Sequence, residues 1–234
     1  LLKKIKPPIL TWLIFHKEEI TTSKKWILLA RKYLQKYDHN IKIGSGTNVL
    51  FTDLNRSTAS FEDMDLVCYS INPQVHAFDN LSLIETLSAQ PETVKSARQF
   101  SNNKFIAVSP ITLKMRFNPF ATSTETELKS NQLPPQVDVR QLSLFGAGWT
   151  VGSLKYLCES EAYSLTYYET TGWRGVMETQ YGSPIPEKFY SFKESVFPLY
   201  HVFADVGEFA GGEIIETLSS NPLKINGLAI NKEG

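Results

Sequence analysis

The chain has 234 residues, 42% hydrophobic and 21% charged, with 24 Lys+Arg against 24 Asp+Glu. That composition excludes a disordered chain and allows one large core or two small ones. Zero formal charge offers nothing to nucleic acid or an anionic membrane, so the expected partner is small and weakly charged.

The longest apolar tract, 142–157, is interrupted by Gly146, Gly148, Gly152 and Lys155 and falls short of the roughly 20 residues of a membrane span. The start, Leu1 to Pro8, lacks a signal-peptide core, so a cytoplasmic setting is expected; it also lacks an initiator Met, so the chain reads as cut from something longer. Cys68 in a strand-like run and Cys158 near a helix end read as buried thiols, not as a disulfide or zinc site.

Strand-length apolar runs alternate with segments of helical period, the pattern of a parallel sheet with covering helices. The first strand is expected over 9–15. Thr21-Thr22-Ser23 then offers an N-cap, and Trp26, Leu29, Ala30, Tyr33, Leu34 and Tyr37 repeat at helical spacing. Ile41-Lys42-Ile43 starts a second strand, and Gly44-Ser45-Gly46-Thr47-Asn48 reads as a sharp turn at its end. A third strand is expected over 66–71, one or two helices over 81–100 broken near Pro91, and a fourth strand over 105–112. The polar, Pro-containing stretch 118–137 reads as a long excursion, a candidate lid.

A helix is expected over 139–158, a fifth strand over 164–168, a polar loop through Gly182-Ser183-Pro184, and a helix over 198–209 ended by Gly211-Gly212. Five strands do not close an eight-stranded barrel, so the expected fold is α/β, the C-terminal part of a (β/α)₈ TIM-type barrel over 1–217 whose first three strands are absent. Leu223, Ile225, Leu228 and Ile230 at strand spacing mark 218–234 as the start of a possible C-terminal β-domain.

Reactive groups in such folds collect beyond the C-terminal ends of strands. After the third strand, Asn72, Gln74, His76 and Asp79 form the set richest in hydrogen-bonding groups. His76 and Asp79 supply either a base with its orienting carboxylate or caps for the next helix, and Asp79 suits the cap better. After the fourth strand, Lys114, Arg116 and Asn118 offer donors; Arg116 is a candidate for touching substrate. The fifth strand ends in Tyr167-Tyr168-Glu169, where aromatic walls would raise a carboxyl pKa and make Glu169 a useful acid or base. Alternation puts Tyr167 on the side of Glu169 and Tyr168 opposite. Trp173 and Arg174 follow Gly172 and offer a stacking face and a fork of donors, although packing alone also accounts for Trp173.

No phosphate-binding glycine motif, no metal-ligand spacing among His16, His76, Asp79 and Glu169, and no Gly-x-Ser-x-Gly elbow is present. Neither a cofactor nor a metal is therefore expected.

Ser70-Ile71-Asn72-Pro73-Gln74-Val75-His76-Ala77-Phe78-Asp79-Asn80, Leu133-Pro134-Pro135-Gln136-Val137-Asp138, 167–177, Phe197-Pro198-Leu199-Tyr200-His201-Val202 and Ala204-Asp205-Val206-Gly207-Glu208-Phe209 resemble the D-apionate lactonase family. More distantly, the strand order looks like the later half of the glycosidase clan built on (β/α)₈ barrels. That clan places Asn-Glu after strand four and a nucleophilic Glu after strand seven. Here Trp12 to Glu19 holds no Asn-Glu, and Ser109-Pro110-Ile111-Thr112 holds no Glu, so the carboxylate pair of a retaining glycosidase is missing. The resemblance implies hydrolysis of a sugar-acid lactone, D-apionolactone to D-apionate, in bacterial apiose catabolism. The expected chemistry has Glu169 or His76 as general base, Arg174 and Asn72 on the oxyanion, and Gln74 and Tyr167 on substrate hydroxyls. The alternatives are a glycosidase completed by residues outside the chain, and a carbohydrate-binding barrel in which Trp173 and Tyr167 grip sugar without turnover.

Overall fold

A computed structural model of the chain describes residues 2–5, 7–57, 59–120 and 131–232. The middle of the expected lid, 121–130, lies outside the described residues. The elements begin with α1 (Leu2–Ile5), β1 (Thr11–Leu13), α2 (Lys24–Leu34), β2 (Lys42–Leu50), α3 (Phe51–Asn55) and β3 (Leu66–Ile71). They continue with α4 (Asn80–Glu85), a 3₁₀ turn (Thr86–Ala89), α5 (Gln90–Phe100), β4 (Phe105–Ile111), a second 3₁₀ turn (Val139–Leu142) and α6 (Leu144–Glu159). Last come β5 (Ser164–Tyr167), β6 (Glu169–Thr171), β7 (Gly175–Met177), α7 (Pro198–Glu208), β8 (Glu213–Ile215) and β9 (Ala229–Asn231).

Two compact units divide these elements. The first is Leu1–Ile71, Thr93–Pro110 and Ala162–Thr166; the second is Asn72–Glu92, Ile111–Glu161 and Tyr167–Gly234.

The five expected strands form one sheet in strictly sequential order, β1-β2-β3-β4-β5. Neighbours β1 and β2 run parallel, as do β2 and β3. A doubly wound sheet reverses its order at a switch point, whereas a TIM-type barrel adds each strand beside the last, so the order identifies an α/β sheet of the barrel type. In β3 the run Leu66 to Ser70 is buried without alternation, as a strand covered on both faces must be.

Three expectations about the first unit and its borders change. The Gly44 to Asn48 stretch is not a turn, because β2 continues through it to Leu50. Glycine is required there by close approach: Gly46 has φ +143, and a Cβ on it would stand 2.3 Å from the Cys68 carbonyl oxygen. In α2 the buried residue is Ile27, with Leu29 and Tyr33 largely exposed, so the inward face is rotated from the one read off Trp26, Leu29 and Tyr33. Five consecutive apolar residues from Trp26 leave that phase ambiguous. The break between α4 and α5 falls at the 3₁₀ turn Thr86–Ala89, ahead of Pro91. Pro91 itself lies in the first turn of α5, where a missing N–H costs nothing.

In the second unit, Ser143 separates the 3₁₀ turn from α6 and caps the helix by accepting from the Gly146 N–H at 3.3 Å. Trp149, Thr150, Ser153, Leu154 and Leu157 are all buried, so α6 has no wide solvent face. Pro198 opens α7 at its first turn, and Gly211 at φ +83 follows its end. Antiparallel pairing of β8 with β9 joins residues on both sides of the expected 217/218 boundary. The Glu159 carboxylate at the end of α6 accepts from both the N–H and the hydroxyl of Thr217. No disulfide joins the two cysteines, of which Cys68 is buried and Cys158 half-buried. Among the described residues no helix is long and apolar enough to cross a membrane.

Candidate active site

All the candidate residues lie in the second unit. After β3 the chain turns through Asn72, 9% exposed, whose Oδ1 is buried with no protein partner. Two residues on, Gln74 is buried and fully engaged: its Nε2 donates to Leu113 O and Asp138 Oδ2, and its Oε1 accepts from Arg140 Nη2 at 2.8 Å. His76 follows on an exposed stretch. Asp79 is the N-cap of α4, with one carboxylate oxygen on the Ser82 N–H at 2.9 Å and the other on the Ser82 hydroxyl at 2.7 Å. Those bonds hold its carboxyl below the usual range.

Two residues that sequence reasoning passed over organise this loop. Asp138 caps the 3₁₀ turn ahead of α6 by accepting from the Arg140 N–H, and it also takes two guanidinium bonds from Arg140. Burial alone would raise the Asp138 carboxyl, but the bonds from Arg140 and Gln74 outweigh it and hold the carboxyl below its ordinary value. Arg140 reaches back to the loop after β3 through Phe78 O and Asn80 Oδ1, each at 2.9 Å. Lys114, paired to Gln74 in a parallel bridge, donates to Val137 O at 3.1 Å. The sequence signals for this cluster were Gln74 among the polar groups after the third strand and Asp138 in the Leu133 to Asp138 string; the bonds from Asp138 and Arg140 to the loop after β3 span sixty residues or more.

The segment after β5 departs from simple alternation. Tyr168 stands at φ +51, which ends the strand at Tyr167 and turns both tyrosines onto α6. Ser153 gives its hydroxyl proton to Gln90, so the Tyr167 phenol must donate to Ser153 at 2.8 Å. Thr150 gives its proton to Gly146 O, so Tyr168 donates to Thr150, also at 2.8 Å. Burial raises both phenols, opposed by these hydroxyl bonds; Asp138 raises Tyr168 further. Both remain neutral anchors at ordinary pH.

Glu169 is exposed and forms an ion pair with Arg174, while their backbones pair as β6 meets β7. Among the described residues no hydrogen bond or ion pair joins Glu169 to His76; Arg174 takes the place expected of the histidine. Trp173 donates to the Ser183 hydroxyl at 2.9 Å and lies near the buried ring of Phe189, so it is partly a packing residue. Arg116 lies over the Phe117 ring, 5.6 Å from its centre. Glu178, 1% exposed, was also missed: its carboxylate takes the Thr179 N–H and the Ser191 hydroxyl and pins the loop that follows β7. Among the described residues no three His, Cys, Asp or Glu side chains are grouped to hold a metal.

Residues 29–211 match the family model of the D-apionate lactonase TIM barrel domain. A curated D-apionate lactonase from Brucella anthropi is 27% identical over 195 residues, which cover 83% of this chain and 31% of that protein. The chain thus spans about a third of the length of its curated relative. Among solved structures, a β-glucuronidase from an uncultured Clostridium sp. superposes with a TM-score of 0.52 at 12% identity, covering 88% of this chain and 33% of the other, a likeness of fold. With more than half of its length matched, the chain belongs to the D-apionate lactonase family, through that family's TIM barrel domain.

Proposed function

We propose that this chain supplies part of the active site of a hydrolase that opens a sugar-acid lactone, D-apionolactone to D-apionate, in bacterial apiose catabolism. The observation that carries the reading is the family match over 29–211, which spans every candidate residue. His76 acts as general base. It sits exposed on a loop held on either side by Gln74 and by Phe78 O and Asn80, whereas the Glu169 carboxylate is already engaged by Arg174.

In this reading His76 takes a proton from water as the water oxygen attacks the lactone carbonyl. Asn72 and Arg174 donate N–H groups to the oxyanion that develops there, and Glu169 keeps the Arg174 fork oriented. Collapse of the tetrahedral intermediate breaks the ring C–O bond. The departing alkoxide then takes the proton from His76 and leaves as the hydroxyl of the open acid.

The test uses the complete protein with D-apionolactone, following acid release by pH-stat. His76→Gln should reduce kcat by about 10²-fold or more. Glu169→Gln should cost less than that, because it disturbs only the aim of Arg174. A fall of 10²-fold in Glu169→Gln with His76→Gln unaffected would transfer the base to Glu169; wild-type turnover in both would sink the site.

A further inference from the structure

Arg140 presents five N–H donors, and all five are used inside the protein. Nε donates to Asp138 Oδ1, Nη1 to Phe78 O and Asn80 Oδ1, and Nη2 to Gln74 Oε1 and Asp138 Oδ2, each at 2.7 to 2.9 Å. Asp138 is equally complete, with two donors on each carboxylate oxygen. Both Gln74 amide hydrogens are committed as well. A guanidinium with no donor left cannot bind a substrate carboxylate or carbonyl, although it stands among the candidate catalytic residues.

We infer that Arg140 is a positioning residue whose closed network with Asp138 and Gln74 fixes the His76 loop to the start of α6. Its two anchor points bracket His76: Gln74 on one side, Phe78 and Asn80 on the other. The N-capping of the 3₁₀ turn by Asp138 ties that bracket to the backbone leading into α6. Gln74 extends it to Leu113, just past β4. The planar fork is essential, because an ammonium offers three donors from one point and cannot span four acceptor groups. This inference rests on the proposed function only where it speaks of turnover; the ordering of the loop is a separate claim.

The experiment compares wild type, Arg140→Lys and Arg140→Ala in the complete protein. It reads kcat and KM on D-apionolactone, melting temperature, and amide hydrogen exchange across 74–80. Arg140→Lys should lower kcat by about tenfold or more with KM changed by less than about threefold, since misplacing a catalytic group by an ångström is felt chiefly in the chemical step. Exchange should accelerate in 74–80 and not elsewhere. Guanidinium chloride at millimolar concentration should recover part of the loss in Arg140→Ala, an effect that a merely structural residue would not show. A lowered melting temperature with unchanged kcat, or wild-type exchange in 74–80, overturns the inference. Asn80→Ala removes one acceptor and is the milder probe if both Arg140 variants fail to fold; wild-type kcat together with wild-type exchange there has the same consequence. If His76→Gln proves fully active, the base assignment fails while the exchange result still decides on Arg140.

Discussion

Gly46→Ala tests the claim that β2 runs through the glycine-rich stretch because β3 leaves no room for a side chain. The new Cβ would stand 2.3 Å from Cys68 O and 3.1 Å from Cys68 N, both backbone atoms that cannot rotate away. Restoring an ordinary C···O contact requires the strands to part by about 1 Å. That strains or breaks one or two ladder hydrogen bonds, each worth about 1 kcal/mol net. Alanine at φ +143 adds about 1–3 kcal/mol of backbone strain. The sum, about 2–5 kcal/mol, is a large fraction of the stability of a typical domain and corresponds to a melting-temperature drop on the order of 10 °C. Thermal and urea unfolding, followed by far-UV circular dichroism, measure it. Gly148→Ala is the control: nothing lies within 4 Å of a Cβ there, and the exposed helical site should gain about 1 kcal/mol. A Gly46→Ala protein that melts within 2 °C or so of wild type would refute the close-approach argument.

Other outcomes follow from the same reasoning. Glu178→Ala leaves the Thr179 N–H and the Ser191 hydroxyl without their carboxylate and should cost about 1–3 kcal/mol, read as a shift in the urea midpoint. Glu19 is held down to about 2 by the Ser23 N–H and the Trp26 indole, so its stabilisation is complete above its ordinary 4.5 and drains away as pH falls toward about 2. Glu19→Gln should therefore flatten that part of the acid limb in a pH-resolved melting series, and an unchanged limb counts against the assignment. Asp138 acts with the same sign: its contribution is present above its ordinary 3.8 and is lost as pH falls through its lower folded value. Asp138→Asn should consequently unfold with a weaker dependence on pH below 4 or so.

Much of the fold could be read from pattern alone because parallel strands advertise themselves. The uninterrupted run Leu66 to Ile71 and the Asp79 cap were both visible as local features. The errors came where a distant backbone decides: glycines in β2 look like a turn until β3 is known to lie against them. Tyr168 is similar, since no local rule calls for a tyrosine at positive φ; the hydroxyls of Thr150 and Ser153 supply the reason. Of the candidate site, His76, Asn72 and Glu169 were legible as polar groups at strand ends. The Asp138, Arg140 and Gln74 network was not, because the bonds that tie Asp138 and Arg140 to the loop after β3 close only between segments separated by sixty residues or more.

The paired tyrosine anchors at the end of β5 also mark a seam for engineering. Because Tyr167 and Tyr168 are each fastened to their own hydroxyl on α6, the chain is mechanically grounded one residue before Glu169. A replacement for the stretch from Glu169 to Met177, whose two short strands pair parallel, spliced in directly after Tyr168, inherits a fixed exit direction without any change to the five-stranded sheet. Libraries that vary that stretch and leave untouched the two tyrosines and the buried Gly175, where a Cβ would stand 2.6 Å from the Thr171 backbone, should retain folding while altering whatever the stretch contacts.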